Sequence, residues 1–181
     1  MMQMGQGSHV YNSHKFAEAI RSMIRQEIDA TPGFRELVGR SKLPHNAGAE
    51  RTILGAVMLD NALLPTISLG PEVFCVASHR TIWATMQAMS GSIDLVTLSE
   101  ALGGSLASVG GVAYLCGLTE GLPRRPAVQE YVQIVVEKHR LRRIMAACQT
   151  ALDACMDQQR SAAEIVEEMG HALKGIKGGK K

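Results

Sequence analysis

The chain has 181 residues, of which 46% are hydrophobic and only 4% aromatic, with a formal net charge of +2. That length suits one domain with a real core, or a small domain with an appendage, and the hydrophobic content excludes a mostly disordered chain. A core short of aromatics must be built from Leu, Ile, Val, Ala and Met, which favours helices over sheets, and a charge so near zero gives no ground for nucleic-acid binding by itself.

Residues 1–12 are polar and Gly-rich and are expected to be disordered. In SHKFAEAIRSMIRQEIDA, Phe16, Ile20, Met23, Ile24 and Ile28 fall on one helical face, with Ser13 as N-cap. TPGFRELVG predicts a second short helix, with Thr31 as cap, Pro32 at the first position and Gly39 as terminator. SKLPHNAG reads as a linker and marks the boundary of an N-terminal extension, residues 1–42. Beyond it, Ile53, Leu54, Val57 and Met58 form an apolar stripe. Pro65 restricts ALLPTISL to a short helix, or to one that starts at the proline, and GPEVF suggests another start. SHRTIWATMQAM predicts a helix capped by Ser78, closed by Gly91, with Ile82, Trp83, Met86 and Met89 inward.

The stretch SIDLVTLSEALGGSLASVGGVAY holds two acids without a third catalytic partner. Either Asp94 caps a helix, or Thr97 caps it with Glu100 three residues on. Gly103 and Gly104 end that helix, and Gly110 and Gly111 open the next. After Pro126 a long helix runs to about Gln158. Leu141, Met145, Cys148, Leu152 and Cys155 recur along it as a coiled-coil-like seam, flanked by Ala146, Ala147, Ala151 and Ala154. Ser161 and Glu164 make a capping box for a last helix with Ile165, Val166, Met169 and Leu173 on one face. Lys174 onward reads as a frayed basic tail. The fold class expected is therefore all-α: a small helical bundle over 43–125, a C-terminal helical hairpin over 126–174 and a tail over 175–181, with extra N-terminal helices. A long helix paired with a shorter one cannot bury its whole stripe on itself, so the excess must pack on the domain or on another chain.

Chemistry is sparse. The four cysteines, Cys75, Cys116, Cys148 and Cys155, form no CxxC and are expected to be buried free thiols in a reducing compartment. His9, His14, His45, His79, His139 and His171 have no paired acid or nucleophile at motif spacing. No phosphate loop of the GxxxxGK[ST] type occurs. No catalytic residue, cofactor or metal site is expected. No apolar run approaches the roughly 20 residues a membrane span needs and no secretory signal is visible, so a cytoplasmic location is expected.

From Leu43 to about Leu173 the chain resembles the N-terminal domain of DnaB-type replicative DNA helicases. The matching pieces keep their order: Pro44-His45-Asn46, Ala49-Glu50 and Leu54-Gly55; Phe74 with His79-Arg80 and Ile82; Ile93-Asp94-Leu95-Val96-Thr97-Leu98 with Leu102; Val109-Gly110-Gly111 with Ala113-Tyr114-Leu115; and Tyr131, Ile134-Val135, Glu137-Lys138 with Arg142. Trp83 departs from the pattern, standing where a smaller aromatic is usual. The resemblance implies an all-helical domain that forms a collar of paired hairpins above a hexameric ATPase ring and, in bacterial members, recruits primase. His45, Glu50, His79, Arg80, Asp94, Thr97, Gly110, Gly111 and Tyr114 are the motif positions expected to shape it.

The reading that follows is a non-catalytic assembly and partner-docking domain acting in DNA replication. Its partners would be itself, as a dimer or trimer of dimers, and by resemblance a helicase ring and primase. Leu141, Met145, Cys148, Leu152, Ile165 and Met169 would carry self-association. The alternative is a stand-alone adaptor or antagonist of a helicase or primase, suggested by the lack of a following ATPase domain before Lys181; the chain as given is not expected to hydrolyse ATP. Arg124, Arg125, Lys138, Arg140, Arg142 and Arg143 concentrate positive charge, but a solvated helix face explains such charges, and direct nucleic-acid binding is expected to be weak or absent.

Overall fold

Asn46 sets the first helix going. Its side chain accepts the Ala49 N–H at 2.9 Å, satisfying one of the donors a helix start leaves open, and α1 runs Ala47–Leu59. The computed structural model describes residues 43–122 and 127–177; the helices expected over 13–30 and 31–39, and Arg124 and Arg125, lie outside the described residues. Ile53, Leu54 and Val57 have no exposure at all, so the apolar stripe of α1 is the centre of the core.

Asp60 ends α1 and caps a 3₁₀ turn, Asn61–Thr66, which contains Pro65; a proline there removes a donor and keeps the turn short. Pro71–Val73 is a single 3₁₀ turn with proline at its start. Then come α2 (Ala77–Ala88), α3 (Leu95–Leu102), a 3₁₀ turn at Gly103–Ser105, α4 (Gly111–Thr119), α5 (Val128–Asp157) and α6 (Ala162–Lys177). No strand occurs among the described residues. None of their helices is long and apolar enough to cross a membrane.

The head is α1 to α4 plus the first half of α5. α1 packs chiefly against α5 and α4, and the core gathers Ile53, Leu54, Phe74, Ile82, Trp83, Met86, Leu98, Leu115 and Leu118. Val128, Val132 and Val135 of α5 complete it, and no later residue of α5 is buried. α1 and α4 come very close at Gly55. A Cβ there would lie 2.2 Å from the Leu118 carbonyl oxygen, so glycine is what lets the two backbones meet. Past the head, α5 continues alone until Gln158 turns the chain in a left-handed conformation (φ 57), and α6 packs back along it.

Three expectations need correction, and the open choice of cap for α3 is resolved. Ser78 does not cap α2: the N-cap is Val76, with no side-chain cap bond of its own. Asp94, not Thr97, caps α3; its carboxylate accepts the Val96 and Thr97 N–H groups, Thr97 Oγ1 accepts the Asp94 N–H, and Glu100 takes no part in this box. The C-terminal helix reaches Lys177 instead of fraying from Lys174, because Ile176 continues the apolar spacing and is buried. The cysteines are free, yet not buried: Cys116, Cys148 and Cys155 are exposed and Cys75 half-buried.

Candidate functional site

The α2 start lacks its own cap because another helix supplies one. Glu50, on α1, is 1% exposed. Its Oε1 accepts the Cys75 N–H at 2.8 Å and its Oε2 the Val76 N–H at 3.2 Å. The same Oε2 lies 2.8 Å from His79 Nδ1, and a carboxylate can only accept, so Nδ1 carries the hydrogen. On the far side of the ring, Nε2 is 2.6 Å from the Tyr114 hydroxyl on α4. Burial pushes the Glu50 carboxyl up, but the His79 bond and the two backbone donors outweigh it and hold the group below its ordinary value. So His79 has a paired acid after all, 29 residues away in sequence. The cluster joins α1, α2 and α4. All its members are occupied with one another, and no buried side-chain nitrogen or oxygen among the described residues lacks a partner. No cluster of metal-ligating side chains occurs among the described residues.

The other motif positions also bond or pack within the chain. Gly110 (φ +106) and Gly111 (φ +70) open α4 in the left-handed region, and a Cβ on Gly110 would meet the Tyr114 Cβ at 2.8 Å. Gly110 thus sets where Tyr114 stands. His45 donates from Nδ1 to the Leu43 carbonyl at 2.7 Å, and Arg80 donates to the Cys75 carbonyl at 3.4 Å. Trp83 uses what a smaller aromatic lacks: its Nε1 donates to the Leu69 carbonyl at 2.9 Å.

Arg142, read from sequence as part of a basic concentration, is a tie. Its Nη1 donates to the Pro44 carbonyl at 2.8 Å and its Nη2 to the Val73 carbonyl at 2.6 Å. These bonds fasten α5 to the head just where the helix leaves it. Arg51 acts likewise at the end of α4, donating to the carbonyls of Gly117 and Glu120, and Asn61 bridges to Ile93 through Nδ2–H···O at 2.8 Å and N–H···Oδ1 at 2.8 Å. Sequence reasoning missed all three roles, since the partners are distant backbone groups without any side-chain signature.

The hairpin is the part with surface to spare. Leu141 is 37%, Met145 39% and Leu152 48% exposed, and Cys148 is exposed too. Ile144 and Met156 extend this outer stripe on α5, and Val166 is exposed on α6. Ile165 and Met169 lie elsewhere: Ile165 is buried, and both line the groove between the two helices with Ala147 and Ala151. Of the six expected association residues, the four on α5 therefore face out and the two on α6 hold the hairpin closed.

A family model described as the DnaB-like helicase N terminal domain matches residues 42–137. The chain is 36% identical over 137 residues to the replicative DNA helicase DnaB of Geobacillus stearothermophilus, covering 72% of this chain and 30% of that protein. The crystal structure of the N-terminal domain of DnaB helicase from Mycobacterium tuberculosis superposes with a TM-score of 0.68 at 24% identity, covering 74% of this chain and 99% of that one. A structure of a DnaB-like replicative helicase, described with its interactions with primase, gives 0.63 at 23% identity over 75% of this chain and 32% of that one. At such identities these structures show a shared fold. The chain spans about 30% of the length of the relatives it matches.

Proposed function

This chain belongs to the family of DnaB-like helicase N-terminal domains, and from that premise we propose that it serves DNA replication as an assembly and partner-docking domain without chemistry of its own. The observation that carries the reading is the exposed apolar stripe Leu141, Met145, Cys148 and Leu152 on the free half of α5. A monomer gains nothing from leaving these side chains in water, whereas a second hairpin laid along them would take that surface out of solvent. Self-association is thus the first function, through α5 against a copy of α5. A helicase ring and primase are the further partners, by analogy with the DnaB-like replicative helicase whose structure is described with its interactions with primase.

Light scattering on a sizing column, over a range of loading concentrations, tests the reading. Dimers or larger even-numbered assemblies whose share rises with concentration are expected. A monomeric mass at every concentration overturns self-association by this chain.

A further inference from the structure

The tie that holds the hairpin to the head has a titratable group beside it. His139 lies one helical turn before Arg142 and is half-buried, with its Nδ1 3.5 Å from Arg142 Nη2. That Nη2 also donates to the Val73 carbonyl. A neutral imidazole can accept from the guanidinium at Nδ1, whereas a protonated one presents a second cation and no lone pair. The charged groups bearing on His139 are Arg142 and Arg143 on its own helix and Glu72 from the turn at Pro71–Val73. Two cations against one exposed carboxylate leave protonation opposed.

We propose that Arg142 and His139 form a proton-released latch: with His139 neutral, Arg142 stays on the Pro44 and Val73 carbonyls, and protonation of His139 drives the guanidinium off and frees the two head segments that carry those carbonyls. Burial first, then Arg142 and Arg143, hold the imidazole below its ordinary value of 6.5. The released state therefore takes up the proton more readily than the latched one. The latch is fully set above about pH 6.5 and is lost as pH falls through the lower value of the latched state.

Trp83, the one tryptophan of the chain, reads the latch. It is bonded to the Leu69 carbonyl and packed on Phe74 at a centroid distance of 5.3 Å, next to Val73. Its emission is followed from pH 8 to pH 5 while circular dichroism monitors helix content. A step with its midpoint below 6.5 is expected in the unaltered chain without loss of helix, and its absence in His139→Gln. A step of the same size in His139→Gln, or no step in the unaltered chain, overturns the latch. Arg142→Lys gives an independent reading: it should show the acid-type emission already at pH 8. Native emission in Arg142→Lys at pH 8 means that the fork does not hold this loop, and overturns it as well.

Discussion

The head and the hairpin are made of the same kinds of residue and treat them oppositely. In the head, Ile53, Leu54, Val57, Ile82 and Leu98 have no solvent exposure, and even Glu50 and His79 are buried with their polar atoms paired. On the free half of α5, Leu141, Ile144, Met145 and Leu152 are each more than a third exposed. One helix passes through both regimes: Val128, Val132 and Val135 are core, and nothing after them on α5 is. With 30 residues, α5 is about 45 Å long at roughly 1.5 Å per residue, more than the head can cover. The lesson is that the head buries its apolar faces within the chain, whereas the hairpin leaves part of its own in water.

The contrast can be broken most severely at Glu50. Glu50→Ala should cost about 3–5 kcal/mol in urea unfolding, because it strands His79 and the Cys75 and Val76 N–H groups in the interior. The same group sets the acid limit of the head. Its carboxyl is held low in the folded state, so its stabilisation is complete above its ordinary value of 4.5 and disappears as pH falls through the lowered one; thermal melting across pH 3 to 6 should show the decline, and Glu50→Gln should flatten it. Gly55→Ala comes next, at about 1–3 kcal/mol, since the added methyl meets a backbone carbonyl that cannot swing aside. Gly110→Ala forces a left-handed residue to carry a Cβ and pushes Tyr114; about 1–2 kcal/mol should be lost. The smallest effect on stability belongs to the hairpin. The pair Met145→Glu and Leu152→Glu should alter the unfolding free energy of the monomer by no more than about 0.5 kcal/mol per site, while lowering the mass seen by light scattering to that of one chain. Unfolding of that double variant at neutral pH would place the two side chains in a monomer core and erase the distinction between the regions.

Helical periodicity makes most of the head and both hairpin helices legible, because each has an apolar face repeating at the helical spacing, and α1, α3 and α6 also start at a marked cap, Asn46, Asp94 and Ser161. Two kinds of information stay out of reach. Periodicity names a face without naming what covers it, so Ile165 joins the outer stripe by spacing although it is buried against Ala147 and Ala151. Polar ties leave no periodic trace at all. Glu50, His79 and Tyr114 meet across separations of 29 and 35 residues, and each looks like an isolated polar residue until the helices are packed. The α2 cap shows the cost: Ser78 has the right chemistry for a cap, but a carboxylate from α1 has already taken the α2 start.

The Arg142 fork also bears on the order in which the chain can fold. It reaches back 98 residues to Pro44 and 69 to Val73, and closing loops of that size is slow and comes late. During synthesis every helix of the head emerges before the residue that fastens it, so those two carbonyls stay hydrated until the middle of α5 has left the ribosome. Contacts made after the folding barrier slow unfolding without hastening folding. If the fork closes after that barrier, Arg142 acts as a brake on opening: its loss should then shorten the lifetime of the folded head while leaving its rate of formation nearly untouched.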